Sequence, residues 1–273
     1  MQTPSNTADF EAITKRQQTV WASGDFNEVA RQVMAVSDDL VRAADPHAGQ
    51  RVLDVACGSG NAALIAARRY CDVSGIDYVP ALVERAKARS AAEGTKIDFR
   101  VADAQALPFE DKSFDVLLSV FGVMFAPDRE KAAAEMLRVC RPGGKIALAC
   151  WTPEGFVGEF FALQSRHVPP PPGVQPPARW GTDELLAQLL GPGSSAIRTE
   201  RKMSRQYYLS PQHAVEVFKT YFGPTQRAFQ TLDAAGQETF QRELEGLFGR
   251  HNRATDGTLI LEGEYLQAIV TRS

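Results

Sequence analysis

Cysteine is scarce, with four in 273 residues. Cys57, Cys71, Cys140 and Cys150 form no Cys-x-x-Cys pair, and no histidine stands at metal-ligand spacing from them, so neither a zinc knuckle nor a disulfide framework is expected, and no metal site. They read as small buried hydrophobes in a reducing compartment. Long apolar runs are also missing. No stretch approaches the ~18 apolar residues of a membrane span, and "MQTPSNTADFEAITKRQQ" at the start lacks the apolar core of a signal peptide. The expectation is a cytoplasmic protein without membrane insertion. An excess of one charge is missing too: 30 basic residues face 33 acidic ones, leaving a net charge of −3. Without a global positive field, nucleic acid is not an expected partner. The one basic run, "RTERKMSR" (198–205), alternates sides as a strand would and reads as a solvated strand face.

What is present is a change of rhythm. Residues 7–22 and 25–44 carry apolar positions at helical spacing, predicting two N-terminal helices with Asp25 as cap of the second. From Arg51 onward, short apolar runs at 51–56, 71–77, 97–103, 114–120 and 145–151 alternate with amphipathic segments at 61–70, 80–93 and 128–140. Pro80 suits a first helical turn, and "RPGG" (141–144) is read as ending the last of these helices. Such alternation predicts an α/β fold, a parallel sheet covered by helices on both faces, with strand C-terminal ends gathered on one ligand-binding edge.

After Trp151 the rhythm breaks. The proline cluster "HVPPPPGVQPPARW" (167–180) reads as an extended connection, followed by a short helix at 182–190 and a strand near 197–208. Residues 211–249 are mostly helical, and 257–272 looks like a closing strand or hairpin. The expected divisions are N-terminal helices or lid (1–46), cofactor core (47–152), connection with helix and sixth strand (153–210), helical cap (211–256) and closing strand (257–273).

The segment "RVLDVACGSGNAALIAARRY" (51–70) carries the chemistry. Its Gly58-x-Gly60 followed by small residues fits the turn that receives a dinucleotide pyrophosphate. Asp54, four residues ahead of the first glycine, places negative charge where phosphates would lie. It suits a ligand that brings a cation, such as the sulfonium and ammonium of S-adenosylmethionine. Gly58 and Gly60 let the backbone approach a ligand without a Cβ in the way. Asp77, at the end of the second strand, is an acceptor for a ribose diol or an ordinary loop acid, and Asp103 taken alone could be a helix cap.

"VLDVACGSGNAAL" resembles motif I of the class I S-adenosylmethionine-dependent methyltransferases, and the later elements follow in order. Asp77 in "GIDY" matches the family's ribose acid, and Asp103-Ala104 in "VADAQALPF" matches its adenine-facing pair. "FDVLLSVFGVMF" and "LRVCRPGGKIALACW" resemble its fourth strand and the turn into its fifth. The resemblance covers roughly residues 50–151 and is nearest the ubiquinone- and menaquinone-biosynthesis-like small-molecule subgroup. It implies a Rossmann-like, seven-stranded, mostly parallel sheet with N-terminal helices and a helical cap inserted before the last strand. It also implies S-adenosyl-L-methionine as cofactor, held by Asp54, Ala56, Gly58, Gly60, Asp77, Tyr78, Asp103, Ala104 and Ser119.

The acceptor is less legible. "SVFGVMF" departs from the Asn/Asp-Pro-Pro-aromatic signature of DNA adenine and some glutamine methyltransferases, and no acidic pair resembles the metal site of catechol-type enzymes. The four histidines, His47, His167, His213 and His251, read as surface or capping residues. His167 is the one candidate for a base, because a segment after the fifth strand can hang over the active edge. Phe121, Phe125, Trp151 and Phe160 are the candidate walls of an acceptor pocket. Trp21 is either a shield over the site or a core anchor, and Phe218, Tyr221, Phe222 and Phe229 give the cap its inward face. The reading is methyl transfer to a small aromatic or lipophilic metabolite. A non-catalytic S-adenosylmethionine-binding partner and an NAD(P)-dependent oxidoreductase are the alternatives.

Overall fold

The structure, a computed structural model, describes residues 9–273. The first residues of the helix expected at 7–22 lie outside the described residues; its remainder forms α1, Phe10–Trp21, capped by Asp9, whose Oδ1 accepts from Ala12 N at 3.0 Å. The second expected helix is broken in two. Asp25 caps α2 (Phe26–Ala30) through Asn27 N at 3.2 Å, the chain tightens into a 3-10 turn at Arg31–Val33, and α3 (Met34–Ala44) follows. The cause is a change of partner along one apolar stripe, which the single 25–44 periodicity did not reveal.

Seven strands form one sheet: β1 (Arg51–Val55), β2 (Asp72–Asp77), β3 (Ile97–Val101), β4 (Phe114–Val120), β5 (Cys140–Trp151), β6 (Ser194–Tyr208) and β7 (Leu259–Arg272). Their order is β3-β2-β1-β4-β5-β7-β6. The first five are parallel, and β7 runs antiparallel between β5 and β6. α4 (Asn61–Ala67), α5 (Pro80–Ala92) and α6 (Arg129–Val139) make the crossovers, and Pro80 does open α5. The strand order reverses between β1 and β4. Such a switch point opens a crevice at the strand C-terminal ends, and it sets where the site lies.

"RPGG" does not end a helix. α6 stops at Val139, Cys140 is already extended, and the ladder skips from Phe114↔Cys140 to Val116↔Lys145. Arg141–Gly144 therefore bulge out of β5, an excursion that a Pro-Gly-Gly run favours as readily as it favours a helix end. The basic run is an edge-strand face as expected: Arg201 pairs with Glu264 at 2.7 Å and Arg205 with Glu262 at 2.9 Å.

A helix not foreseen, α7 (Gly155–His167), follows β5. Gly158 hides it from a propensity reading, yet a Cβ there would sit 1.8 Å from Pro153 O, so the glycine records close packing. The proline stretch leads through a 3-10 turn (Pro177–Gly181) to α8 (Asp183–Leu190). Between β6 and β7 come α9 (Pro211–Tyr221), α10 (Gly223–Thr231) and α11 (Ala234–Arg250). α2 packs on α9, while α3 packs on α4, β4 and β5.

The ends of β1 and β4 approach closely at Gly122, where a Cβ would lie 2.4 Å from Ala56 O. Gly122→Ala is expected to destabilise the protein by about 2 kcal/mol or more. Gly191→Ala, where nothing lies within 4 Å of the added Cβ, should stay within about 0.5 kcal/mol. Urea unfolding of both variants checks the pair; equal midpoints would show that the two strand ends are not tightly apposed.

Candidate functional site

At the crevice, two strands end in the same unusual way. Ala56 and Phe121, the residues just past β1 and β4, both have φ of 53°, a left-handed conformation that costs a non-glycine residue on the order of 1 kcal/mol. Backbone bonds to neighbouring strands hold them there: Cys57 N donates to Ile76 O and Phe121 N to Ala149 O, each at 2.8 Å. Backbone strain of this kind collects at functional sites. The chain then turns through Gly58 (φ 54°) and Gly60 (φ 83°) into α4. At Gly60 a side chain would also strike Phe99, 2.9 Å away.

Two buried acids shape that turn. Asp54, 2% exposed, accepts from Ala63 N at 2.9 Å, tying the strand to the first turn of α4. Asp77, 5% exposed, accepts from Gly58 N and Val79 N, both at 2.9 Å. Burial pushes the Asp54 carboxyl up to about 7, against the Ala63 hydrogen bond and helped by the charge of Asp77. Burial likewise pushes Asp77 up to about 6, opposed by its two backbone hydrogen bonds.

Both acids open onto a cleft of roughly 970 Å³ of empty space, mouth included. Its lining adds a third carboxylate, Asp103, with Ala56, Gly58, Tyr78 and Ala104, and contains no lysine, arginine or histidine among the described residues. That donor set tests the expected cofactor. A pyrophosphate would meet three acids and no cation, so a dinucleotide fits poorly. A ligand carrying a sulfonium, an ammonium and a free ribose diol returns a counter-charge to the acids and hydrogen-bond donors to their spare lone pairs. S-adenosylmethionine fits.

Gln105 was not singled out in the sequence, although it follows Asp103-Ala104 directly. Its Nε2 donates to both Asp103 oxygens, at 3.1 and 2.9 Å, and to Thr14 Oγ1 on α1 at 2.9 Å. Its Oε1 accepts from Asp128 N at 2.8 Å. One buried amide thus orients Asp103 and ties α1 and the start of α6 to it. Gln18 on α1 also donates to Tyr78 O.

The other expected residues divide. Phe121 and Phe125 line the cleft; Trp151 and Phe160 do not. Trp151 stacks flat behind Phe121 with centroids 3.7 Å apart, and Phe160 lies in the core of the cap, 5.1 Å from Phe218. Ser119 does not line the cleft either: its hydroxyl, fully buried, donates to Val55 O at 2.7 Å and accepts from Val123 N at 3.0 Å, stitching β1 to the turn after β4. His167 is away from the cleft, at the end of α7, paired with Glu243 of α11 at 2.9 Å. Trp21 is both wall and anchor, its ring 4.9 Å from Phe125 and 5.3 Å from both Phe26 and Phe222. All four cysteines are free, and only Cys57 among them lines the cleft, where burial raises its thiol well above the usual range. Among the described residues there is no cluster of three or more metal-ligating side chains and no helix long and apolar enough to cross a membrane.

Comparison with known proteins agrees with this geometry. Residues 53–148 match the family model of a methyltransferase domain. The chain is 39% identical over 269 residues to an uncharacterised protein of Mycobacterium tuberculosis, covering 97% of this chain and 96% of that one. It is 37% identical over 128 residues to a demethylmenaquinone methyltransferase of Deinococcus radiodurans, covering 45% of this chain and 53% of that one. The fold is similar to that of the YcgJ protein of Bacillus subtilis, with a TM-score of 0.61 at 19% identity over 88% of this chain and 99% of that one.

Two outcomes follow from the acids. An aspartate with a raised folded-state pKa stabilises the protein below its unfolded value near 3.8 and loses that contribution as pH rises through about 6 for Asp77 and about 7 for Asp54. The ligand-free protein should therefore melt higher at pH 5.5 than at pH 8, while affinity for S-adenosylhomocysteine rises over the same interval. Asp54→Asn should flatten the first slope, add roughly 2–4 kcal/mol of ligand-free stability at pH 8 and weaken S-adenosylhomocysteine binding at least tenfold. Calorimetry of the variant reads all three; parallel slopes for melting and affinity would sink the assignment. Separately, Gln105→Ala should weaken the same ligand by about tenfold through loss of Asp103 orientation, measured by isothermal titration.

Proposed function

The chain belongs to the class I S-adenosylmethionine-dependent methyltransferases, and we propose that it carries the methyl group to a small aromatic or lipophilic acceptor. The observation behind the acceptor class is the rest of the cleft wall. Beside the three acids and the polar Ser37, Ser59, Asn61 and Gln105, it includes Trp21, Phe26, Phe121, Phe125, Val33 and Pro127, with no basic side chain among the described residues. An apolar, aromatic wall with few polar groups favours flat or greasy ligands through burial of their surface. The Deinococcus relative supports the class, since its name gives a menaquinone precursor as acceptor.

When bound, the cofactor supplies a methyl carbon activated by its positive sulfur. The protein's contribution is alignment and exclusion of water. Asp77 would accept from the ribose hydroxyls, Asp103 and Ala104 would meet the adenine, and Tyr78 and Val79 would pack on its face. Gly58 and Gly60 would let the main chain approach the amino-acid end, where Asp54 would offset the ammonium. Phe121, held in its left-handed conformation, and Phe125 bound the space through which the acceptor attacks.

Beyond the three acids assigned to the cofactor, the wall supplies no ready proton acceptor. Burial raises the Cys57 thiol and the Tyr78 phenol, so neither ionises near neutral pH. The acceptor in this proposal arrives as a nucleophile in its own right, or releases its proton to water at the cleft mouth.

Incubation with a labelled methyl donor and a fractionated metabolite extract tests the class. Label is expected in the solvent-extractable, ultraviolet-absorbing fraction; label confined to polar amines or to protein would overturn it. Phe125→Ala should raise the acceptor KM about tenfold while S-adenosylhomocysteine affinity stays within about twofold.

A further inference from the structure

Five buried side-chain atoms have no hydrogen-bond partner among the described residues, and of the residues that carry them only Ser37 lines the cleft. Its hydroxyl is fully buried one turn into α3. A serine within a helix ordinarily disposes of its hydroxyl on the carbonyl one turn back, and here it does not. A polar group kept dry and unpaired at a ligand cleft points to a partner that arrives with the ligand.

The neighbourhood names the part of the ligand. α3 packs along α4, whose first residues, Asn61 and Ala62, also line the cleft and whose Ala63 N is clamped by Asp54. Ser37 thus borders the end of the cleft that takes the cofactor's amino acid. That group is a zwitterion. Asp54 answers its ammonium, but its carboxylate enters a cleft of three acids with no cationic side chain among the described residues. Of the nearby polar side chains, Asn61 donates to Ala30 O at 3.1 Å and accepts from Arg89 at 2.7 Å, and Ser59 Oγ is fixed as an acceptor for Arg89 at 3.0 Å, whereas Ser37 makes no hydrogen bond among the described residues. Ser37 has a hydroxyl proton with nowhere else to go.

We propose that Ser37 donates a hydrogen bond to the carboxylate of the bound methyl donor, making α3 the element that recognises the cofactor's amino-acid tail. The inference rests on the cofactor assignment above. It adds a contact outside the sheet-edge motifs, from the helix that precedes the first strand.

Titration calorimetry with two ligands tests it. S-adenosylhomocysteine carries the amino-acid tail, and 5′-methylthioadenosine keeps the adenosine and sulfur but lacks it. Ser37→Ala should weaken S-adenosylhomocysteine roughly tenfold, as loss of a hydrogen bond to a charged group does, and leave 5′-methylthioadenosine within about twofold. Melting of the ligand-free variant should not fall, because the hydroxyl removed makes no bond in the protein. Unchanged S-adenosylhomocysteine affinity overturns the proposal, as does equal weakening of both ligands, which would mean altered packing. A change confined to the acceptor KM would also overturn it, placing Ser37 on the substrate. Failure of the wild-type protein to bind S-adenosylhomocysteine would instead bring down the cofactor assignment, and this inference with it.

Discussion

Two carboxylates buried side by side at the ends of adjacent parallel strands set the terms for this protein. Asp54 pairs in register with Gly75, so Asp77 ends the neighbouring strand just beyond it. Each is satisfied by backbone N–H groups of the loops it shapes: Ala63 N for Asp54, Gly58 N and Val79 N for Asp77. The acids therefore hold the glycine turn open as well as facing the cleft. Burial raises the pKa of both carboxyls, and no side-chain cation lines that cleft among the described residues to offset it. A buried charge without a partner is among the costlier things a fold can keep. In the function proposed above, the cofactor would supply the missing cation and hydrogen-bond donors, coupling the stability of the sheet edge to ligand binding.

The aromatic wall depends on parts of the chain far from motif I. Trp151 stacks on Phe121, and Tyr265 of β7 meets Phe121 edge-on at 5.8 Å. The antiparallel strand pair that closes the sheet thus braces a wall of the cleft from behind. On the other side, Trp21 meets Phe222, which adjoins Phe160 and Phe218 in the core of the cap. One continuous aromatic cluster joins α1, α7 and the cap. Specificity residues in the cleft are supported by packing that no local motif describes.

The parallel core was legible because its signals are local: period, turn residues and the acids at strand ends. So were the helix cap at Asp25 and the proline that opens α5. What failed in the reading of the chain depends on tertiary contacts. The break at Arg31–Val33 reflects α2 and α3 facing different partners, α7 is masked by a glycine whose purpose is close packing against Pro153, and "RPGG" serves a bulge where a helix end looked equally natural. Trp151 and Phe160 are expected from the sequence as pocket walls and do not line the cleft, because which face of a strand or helix meets it is decided by packing. Ser119 and His167 carry the right chemistry and spend it elsewhere, on Val55 and Glu243. Gln105 and Ser37 stand in the opposite relation. Nothing in their spacing marks them, and only the hydrogen bonds made by one and lacking in the other bring them forward.

The charge balance of the cleft also bears on turnover. Three acids stand against a donor with one more positive charge than the product it becomes, since methyl transfer leaves a neutral thioether. Interactions that favour the cation favour the donor over the product, in proportion to how dry the carboxylates remain. Tight holding of the donor and ready release of the product are then served by one arrangement. A cleft that used a lysine or arginine to grip the amino-acid carboxylate would weaken that discrimination by placing a cation near the sulfonium. A neutral hydroxyl at Ser37, in the role proposed for it, would hold the carboxylate without adding such a charge.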